Sequence, residues 1–306
     1  MAGNEDRGRK RDGQTNQIDE FQRRLAETGY IAERSLAATL VLVKELQRPL
    51  LLEGEAGVGK TEIGRTLASI FDCPLIRLQC YEGLDVNTAV YEWNYQHQLL
   101  AIKSLEQGEF NPESADQHIF SDKYLLKRPL LQAISQPRAP VLLIDEIDRA
   151  DDEFESYLLE VLSDFQITVP ELGTLKATST PYVVLTSNGT RELSDALRRR
   201  CVYHYVDYPD FAREMRIVNA RLPGAGQRLS HQVVAFVQNL RRTGLRKNPG
   251  IAETLDWLAA LTQLNIASLD EDPQTIKDSL ACLLKTREDN ETLGIAEIER
   301  LAAKVV

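Results

Sequence analysis

Three leucines, Leu50-Leu51-Leu52, run almost directly into Gly54-Glu55-Ala56-Gly57-Val58-Gly59-Lys60-Thr61, and apolar residues then recur at helical spacing at Ile63, Leu67, Ile70 and Phe71. Strand, glycine-rich loop and helix, in that order, is the context in which G-x-x-x-x-G-K-[ST] forms a phosphate cradle. The glycines leave room for backbone N–H groups to point inward, where side chains would block phosphate oxygens. The following helix adds the partial positive charge of its N-terminus. Lys60 is expected to reach the outer phosphates, and Thr61 to offer its hydroxyl to Mg²⁺. Gly54, Glu55, Ala56, Gly57, Val58, Gly59, Lys60, Thr61 and Glu62 are thus expected to bind a nucleoside triphosphate.

A chain of 306 residues has room for two domains and a sizeable core. No apolar run approaches the ~18 residues needed to span a bilayer. The basic residues near the N-terminus have no apolar stretch behind them, so a secretory signal is not expected and the expected location is the cytoplasm. A net charge of −10 argues against broad affinity for nucleic acid or anionic membrane. Cys73, Cys80, Cys201 and Cys282 lie far apart without C-x-x-C pairs, which predicts free thiols rather than disulfides or a zinc site. His97, His118, His204 and His231 form no i, i+4 pair, so no structural metal site is expected.

Residues 1–16 are polar and charged and are expected to be a disordered tail. Helical spacing follows from Ile18 to Leu46. Five short apolar runs come next: Leu50–Leu52, Leu75–Leu78, Val141–Ile144, Tyr182–Leu185 and Val202–Val206. Helical patterns separate most of them, predicting an α/β fold with a parallel five-stranded sheet flanked by helices. Ligands of such sheets lie beyond the carboxyl ends of the strands. Two stretches exceed a minimal sheet domain. One is an aromatic-rich insertion over about 83–107. The other is an alternating stretch over about 165–177, with Pro170-Glu171-Leu172-Gly173 at its turn, which predicts a hairpin. Tyr91, Trp93 and Tyr95 alternate in the insertion, open equally to a partner-facing edge and to packing. Residues 17–209 are expected to form the sheet domain, and 210–306 a small all-helical one. Within the latter, Ser230 is expected to cap one helix and Asp272-Pro273 to open another.

Val141-Leu142-Leu143-Ile144-Asp145-Glu146 places two carboxylates at a strand's carboxyl end. Asp145 is expected to hold Mg²⁺ with Thr61, and Glu146 to act as general base on an attacking water. Asn188 ends the next strand and is suited to orient that water. The Asn188-Gly189 pair also reads as a turn signal. Arg198-Arg199-Arg200 precedes the last strand, where a guanidinium donated to a neighbouring subunit's nucleotide would offset transition-state charge. A basic helix end interacting with its own dipole is the plainer reading.

This order of elements resembles the AAA+ ATPases, and most closely their MoxR branch, over about residues 30–290. Gly54–Thr61 looks like the Walker A loop, Leu142–Glu146 like Walker B, Asn188 like sensor 1. Arg200 stands where the arginine finger is expected, with Arg199 or Arg198 as alternatives. The insertion resembles the helix-2 insert and the 165–177 stretch the pre-sensor-1 hairpin. The resemblance implies an ATPase using ATP and Mg²⁺ and a homo-oligomeric, hexameric ring. It also implies a helical lid, a partner with a von Willebrand factor A domain, and a metalloenzyme client. One departure is that Gly250 stands where the branch carries a sensor-2 arginine, leaving Arg246 or Lys247 as substitutes. The run Lys247-Asn248-Pro249-Gly250-Ile251-Ala252-Glu253-Thr254-Leu255-Asp256-Trp257 resembles members associated with carbon monoxide dehydrogenase maturation.

The leading expectation is therefore an ATP-driven remodelling chaperone. A nucleic-acid motor or clamp-loader-like ATPase shares the same nucleotide elements, but the acidic charge weighs against it. A GTPase-type switch lacks its guanine-reading pattern, since Thr275-Ile276-Lys277-Asp278 has the wrong order. A small-molecule kinase would not need the acid pair, Asn188 and the arginines together.

Overall fold

The computed structural model describes residues 5–105 and 119–303. Its first part runs α1 (Glu5–Glu27), α2 (Arg34–Leu46), β1 (Leu50–Gly54), α3 (Lys60–Phe71), β2 (Leu75–Gln79), α4 (Val86–Ala89), β3 (Tyr91–Trp93) and α5 (Tyr95–Leu105). Next come β4 (Leu125–Lys127), α6 (Pro129–Ile134), β5 (Val141–Asp145), α7 (Asp152–Asp164), β6 (Gln166–Val169), β7 (Gly173–Lys176), β8 (Tyr182–Ser187), α8 (Asp195–Arg200) and β9 (Val202–Val206). Helices close the chain: α9 (Phe211–Arg221), α10 (Gln227–Leu240), α11 (Ile251–Gln263), α12 (Pro273–Ser279), α13 (Arg287–Thr292) and α14 (Ile295–Ala303).

The five expected strands are β1, β2, β5, β8 and β9, in the order β2-β5-β8-β1-β9. The pairs β2–β5, β5–β8 and β8–β1 are parallel, so their carboxyl ends share one edge. Leu143 stands opposite Val184, and Val184 opposite Leu50. All five residues of β5 are buried, as expected of a strand covered on both faces. Apolar residues on successive positions are what such a strand requires. The same register carries the polar ends along: Asp145 stands opposite Gln79, and Ser187 opposite Glu53.

Contacts divide the chain into two compact units. One comprises Ser35–Glu53 and Gly64–His204. Its core joins the sheet residues Leu51, Ile144 and Leu185 to Phe154, Leu158 and Leu197 of α7 and α8. β3 and β4 form a separate antiparallel pair, and β6 and β7 a hairpin. Trp93 is buried in this core with its ring edge-on to Phe120 at 5.3 Å, whereas Tyr95 is 64% exposed. Packing therefore claims Trp93. Positions 106 and 107 of the expected insertion lie outside the described residues, and the elements apart from the main sheet continue to Lys127.

The other unit comprises the residues up to Arg34, Gly54–Ile63, and those from Tyr205 onward. The loop after β1 and the start of α3 thus group by contacts with the helical part. Val233, Phe236 and Val237 of α10 pack on Trp257 and Leu258 of α11, and the Trp257 indole N–H reaches the Ser279 hydroxyl at 2.8 Å. Asp272 caps α12 by accepting the N–H groups of Gln274 and Thr275, with Pro273 at the first helical position. Ser230 does not cap α10. That helix begins a turn earlier with Gly226 at its N-cap, and the Ser230 N–H already donates to the Gly226 carbonyl at 2.9 Å. Residues 5–16, expected to be disordered, are helical in α1. Residues 1–4 lie outside the described residues.

Candidate active site

The loop after β1 relies on the glycines that the sequence places in it. Gly57 and Gly59 have φ of +79° and +94°, the left-handed region that glycine enters without penalty. A Cβ at Gly59 would meet nothing within 4 Å, so space stands open beside the loop backbone. Val58 is buried while Glu55, Ala56 and Gly57 are exposed. Lys60 opens α3, is only 6% exposed, and donates its Nζ to the Gly54 and Glu55 carbonyls, both at 2.7 Å. Those carbonyls compensate the buried ammonium and hold it at the base of the loop. Thr61 is the next residue of α3. Glu62 accepts from Arg221 of α9 at 2.8 Å, which accounts for that carboxylate as an ion pair.

In the sheet unit, Asp145 ends β5 with 2% exposure. Its Oδ1 accepts the Thr186 hydroxyl at 2.5 Å and its Oδ2 pairs with Arg77. Thr186 in turn accepts the Glu146 N–H at 2.9 Å. One hydroxyl thereby links the end of β5 to β8. Glu146 adopts φ 56°, ψ 50°, a left-handed conformation costly for a residue with a side chain. Its carboxylate reaches Arg149 at 2.8 Å and remains about one-third exposed.

Asn188 follows β8, and its position is set by a carboxylate that the sequence did not single out. Asp148, 3% exposed, accepts the Asn188 N–H at 3.2 Å and the Thr190 N–H and hydroxyl at 3.0 and 2.6 Å. Burial alone would raise its pKa, but these hydrogen bonds outweigh it and hold the carboxyl below the usual range. A second buried carboxylate, Glu155 of α7, receives Arg191 and accepts the Ser194 N–H at 3.0 Å, while Arg191 also donates to the Ala150 carbonyl at 2.8 Å. The chain from Asn188 to the start of α8 is therefore pinned to the turn after β5 through Asp148 and Ala150 and to α7 through Glu155.

The three arginines of α8 differ. Arg198 pairs with Glu53 at 2.9 Å. Arg199 is 82% exposed and, among the described residues, pairs with Asp195 at a long 3.9 Å. Arg200 donates its Nε to the Ser163 hydroxyl at 3.0 Å. Arg48 donates to the Arg199 and Arg200 carbonyls and so caps the carboxyl end of α8. The sequence missed Thr186 and Asp148. The signals that would have found them are the first hydroxyl after the apolar run of β8 and an acid three residues beyond Asp145.

The donors fit the groups the loop implies. Mg²⁺ prefers hard oxygen ligands and is commonly held by one or two protein oxygens plus water and phosphate, so Thr61 and Asp145 are suitable in type. Among the described residues, no group of three or more His, Cys, Asp or Glu is arranged to hold a metal ion, and no helix is long and apolar enough to cross a membrane.

Two uncharacterised proteins of Staphylococcus aureus, from strains USA300 and NCTC 8325 / PS 47, are 29% and 28% identical over 227 residues. Each alignment covers 72% of this chain and 78% of the relative. A crystal structure from Cytophaga hutchinsonii aligns over 99% of this chain and 98% of its own, at 15% identity and a TM-score of 0.44, a likeness too distant to argue from. The family model for the AAA domain, dynein-related subfamily, matches residues 49–201, from the residue before β1 to the end of the arginine cluster, and this chain belongs to that family.

Proposed function

We propose that this chain is a Mg²⁺-dependent ATPase that works as a remodelling chaperone of the MoxR type. Gly54–Glu62 bind the triphosphate, with Lys60 on its outer phosphates. Thr61 and Asp145 hold Mg²⁺, which when bound balances the charge of the phosphate oxygens. Glu146 takes the proton of the attacking water and Asn188 orients that water. Arg200, or Arg199 beside it, is lent to the nucleotide of an adjoining copy in a hexameric ring. Residues 17–209 serve as the nucleotide-binding domain and 210–306 as its lid. The work is done in the cytoplasm, on a metalloenzyme during cofactor insertion or activation, with a partner bearing a von Willebrand factor A domain.

The observation that carries this reading is the backbone of Glu146. A left-handed non-glycine residue costs on the order of 1–3 kcal/mol and is tolerated where function requires an unusual direction. Here it directly follows Asp145 at the carboxyl end of β5, the sheet edge where ligands of such folds lie, and its N–H is tied to Thr186.

Titrating a fluorescent ATP analogue with Mg²⁺ into the protein and into Lys60→Ala tests it. Binding by the first and none by the second is expected. Micromolar affinity retained by Lys60→Ala would overturn the phosphate-loop assignment. Affinity capture with Glu146→Gln, which should hold ATP without turning it over, then identifies the client.

A further inference from the structure

The sequence leaves open what replaces an arginine at position 250, and the structure gives a steric reason why no side chain stands there. A Cβ on Gly250 would lie 2.6 Å from the Gly57 Cα and 2.7 Å from the Gly57 carbonyl oxygen. From the other side, a Cβ on Gly57 would lie 2.9 Å from the Gly250 Cα. The two glycines meet backbone to backbone, with no room for a substituent on either. The adjoining Ile251 N–H donates to the Gly57 carbonyl at 2.9 Å.

Ile251 is the first residue of α11, and the first N–H groups of a helix have no acceptor within it. The phosphate loop supplies one. The Gly250 N–H is taken by Glu253 at 3.1 Å. The donor's position is fixed from behind by a buried network. Arg241 donates Nε to the Pro249 carbonyl at 2.8 Å and is held in a fork on Glu214 at 2.7 and 2.8 Å. Thr254 bonds Glu214 at 2.9 Å and the Gly250 carbonyl at 3.1 Å. Upstream, Asp289 accepts the N–H groups of Arg246 and Lys247.

We propose that the start of α11 is a positioning device for the phosphate loop: the Ile251 N–H sets the orientation of the Gly57–Val58 peptide. In a planar trans peptide the carbonyl and the N–H point in opposite directions. Holding the Gly57 carbonyl on α11 therefore turns the Val58 N–H to the opposite side, where a phosphate oxygen can accept it. The helical part acts on bound nucleotide through the loop backbone, in place of a side chain reaching the phosphates. This inference rests on the reading of Gly54–Glu62 as a triphosphate site.

Ile251→Pro tests it. Proline is favoured at the first helical position, and Gly250 at φ −83°, ψ −172° is already in the extended region that a residue before proline prefers. The substitution removes the one donor and sets a methylene against the Gly57 carbonyl. The comparison is Ile251→Ala, which shortens the side chain and keeps the N–H. Affinity for the fluorescent ATP analogue should be at least about tenfold weaker in Ile251→Pro than in Ile251→Ala, with both variants cooperatively folded. Equal affinities in the two variants overturn the inference. Amide exchange in the unsubstituted protein provides a readout that needs no variant. Saturation with Mg²⁺ and the analogue should slow exchange across residues 249–254, and no change there overturns the inference as well. Absence of any nucleotide binding by the unsubstituted protein overturns the site reading itself, and the two failures are thereby told apart.

Discussion

Arg198 Nη2 lies 2.9 Å from Glu53 Oε2, and the Tyr203 hydroxyl donates to the other oxygen of the same carboxylate at 3.3 Å. The first arginine of the cluster is thus committed within its own chain, to the last residue before Gly54. Arg199 and Arg200 are left as the candidates for an adjoining nucleotide, and Arg200 gives up a hydrogen bond to Ser163 and a long one to the Ala196 carbonyl if it turns outward.

An alanine scan should separate the three. Arg198→Ala breaks a partly buried ion pair worth about 1 kcal/mol, so its melting temperature should fall by about 2–4 °C. Arg199→Ala and Arg200→Ala should melt like the parent. The one that reaches the adjoining nucleotide should lose turnover while binding ATP normally, and regain activity when mixed with Lys60→Ala protein. If neither loses turnover, the proposal of a shared site falls.

Asp148 accepts three hydrogen bonds from the segment that carries Asn188, so Asp148→Ala removes the buried acceptor that holds the Asn188 N–H and the Thr190 N–H and hydroxyl in place. Turnover should drop at least tenfold with a smaller change in ATP affinity, since the loop loses its aim rather than its phosphate contacts. The acid limb of stability carries a second signature. The folded pKa is depressed below the unfolded value of about 3.9, so the contribution of Asp148 is full above that value. It is lost as pH falls through the lower, folded value. Melting curves from pH 2 to 7 should show a steeper decline below about pH 4 for the parent than for Asp148→Asn. Parallel curves would remove the carboxylate from that role.

Much of this was readable from residue order because the chemistry sits where regular elements end. Leu50–Leu52 and Val141–Ile144 announce buried strands, and the polar residues follow from that order: Asp145 ends β5, Asn188 comes directly after β8, and Lys60 opens the helix after β1. What could not be read were relationships set by tertiary distance. Nothing local marks Gly250 as a residue in backbone contact with Gly57, 193 positions earlier. Nothing local marks Glu155 as buried under Arg191, because an acid on an amphipathic helix ordinarily faces water. Ser230 misled because a serine inside the first turn of a helix carries the same local pattern as one at its cap.

Glu146 offers a test of backbone strain against function. Replacing it by glycine relieves the left-handed conformation and removes only an exposed pairing with Arg149. Glu146→Gly should therefore be more stable than the parent, by about 1 kcal/mol, while hydrolysing ATP at least about a hundredfold more slowly. Chemical denaturation and phosphate release measured on the same preparation report both. A variant that is less stable yet active would contradict the assignment on both counts.

Two thiols should be chemically silent in the folded protein. Burial pushes Cys80 up to about 12, with the nearby Asp145 charge adding to it, and burial alone pushes Cys201 up to about 12. At pH 8 neither has an appreciable thiolate fraction. Iodoacetamide followed by peptide mass spectrometry should leave both unmodified in buffer and label both in denaturing urea. Rapid labelling of Cys80 in buffer would mean that the end of β2 opens.

The buried pair of Arg241 and Glu214, 7% and 0% exposed, should dominate the stability of the helical unit. Removing one partner leaves the other charged, desolvated and unpaired. Arg241→Ala should cost about 3–5 kcal/mol in urea denaturation of the nucleotide-free protein. It also frees the Pro249 carbonyl and strips the cation from the face of the Tyr208 ring 4.7 Å away. Replacing both partners, as Glu214→Leu with Arg241→Met, removes the desolvated charges together and should recover much of that loss. The doubly substituted protein nevertheless lacks the donor that holds Pro249, so the start of α11 is no longer anchored from behind. It should stay folded yet bind ATP less tightly than the parent. Stability restored together with full ATP affinity would show that this ion pair serves the fold alone.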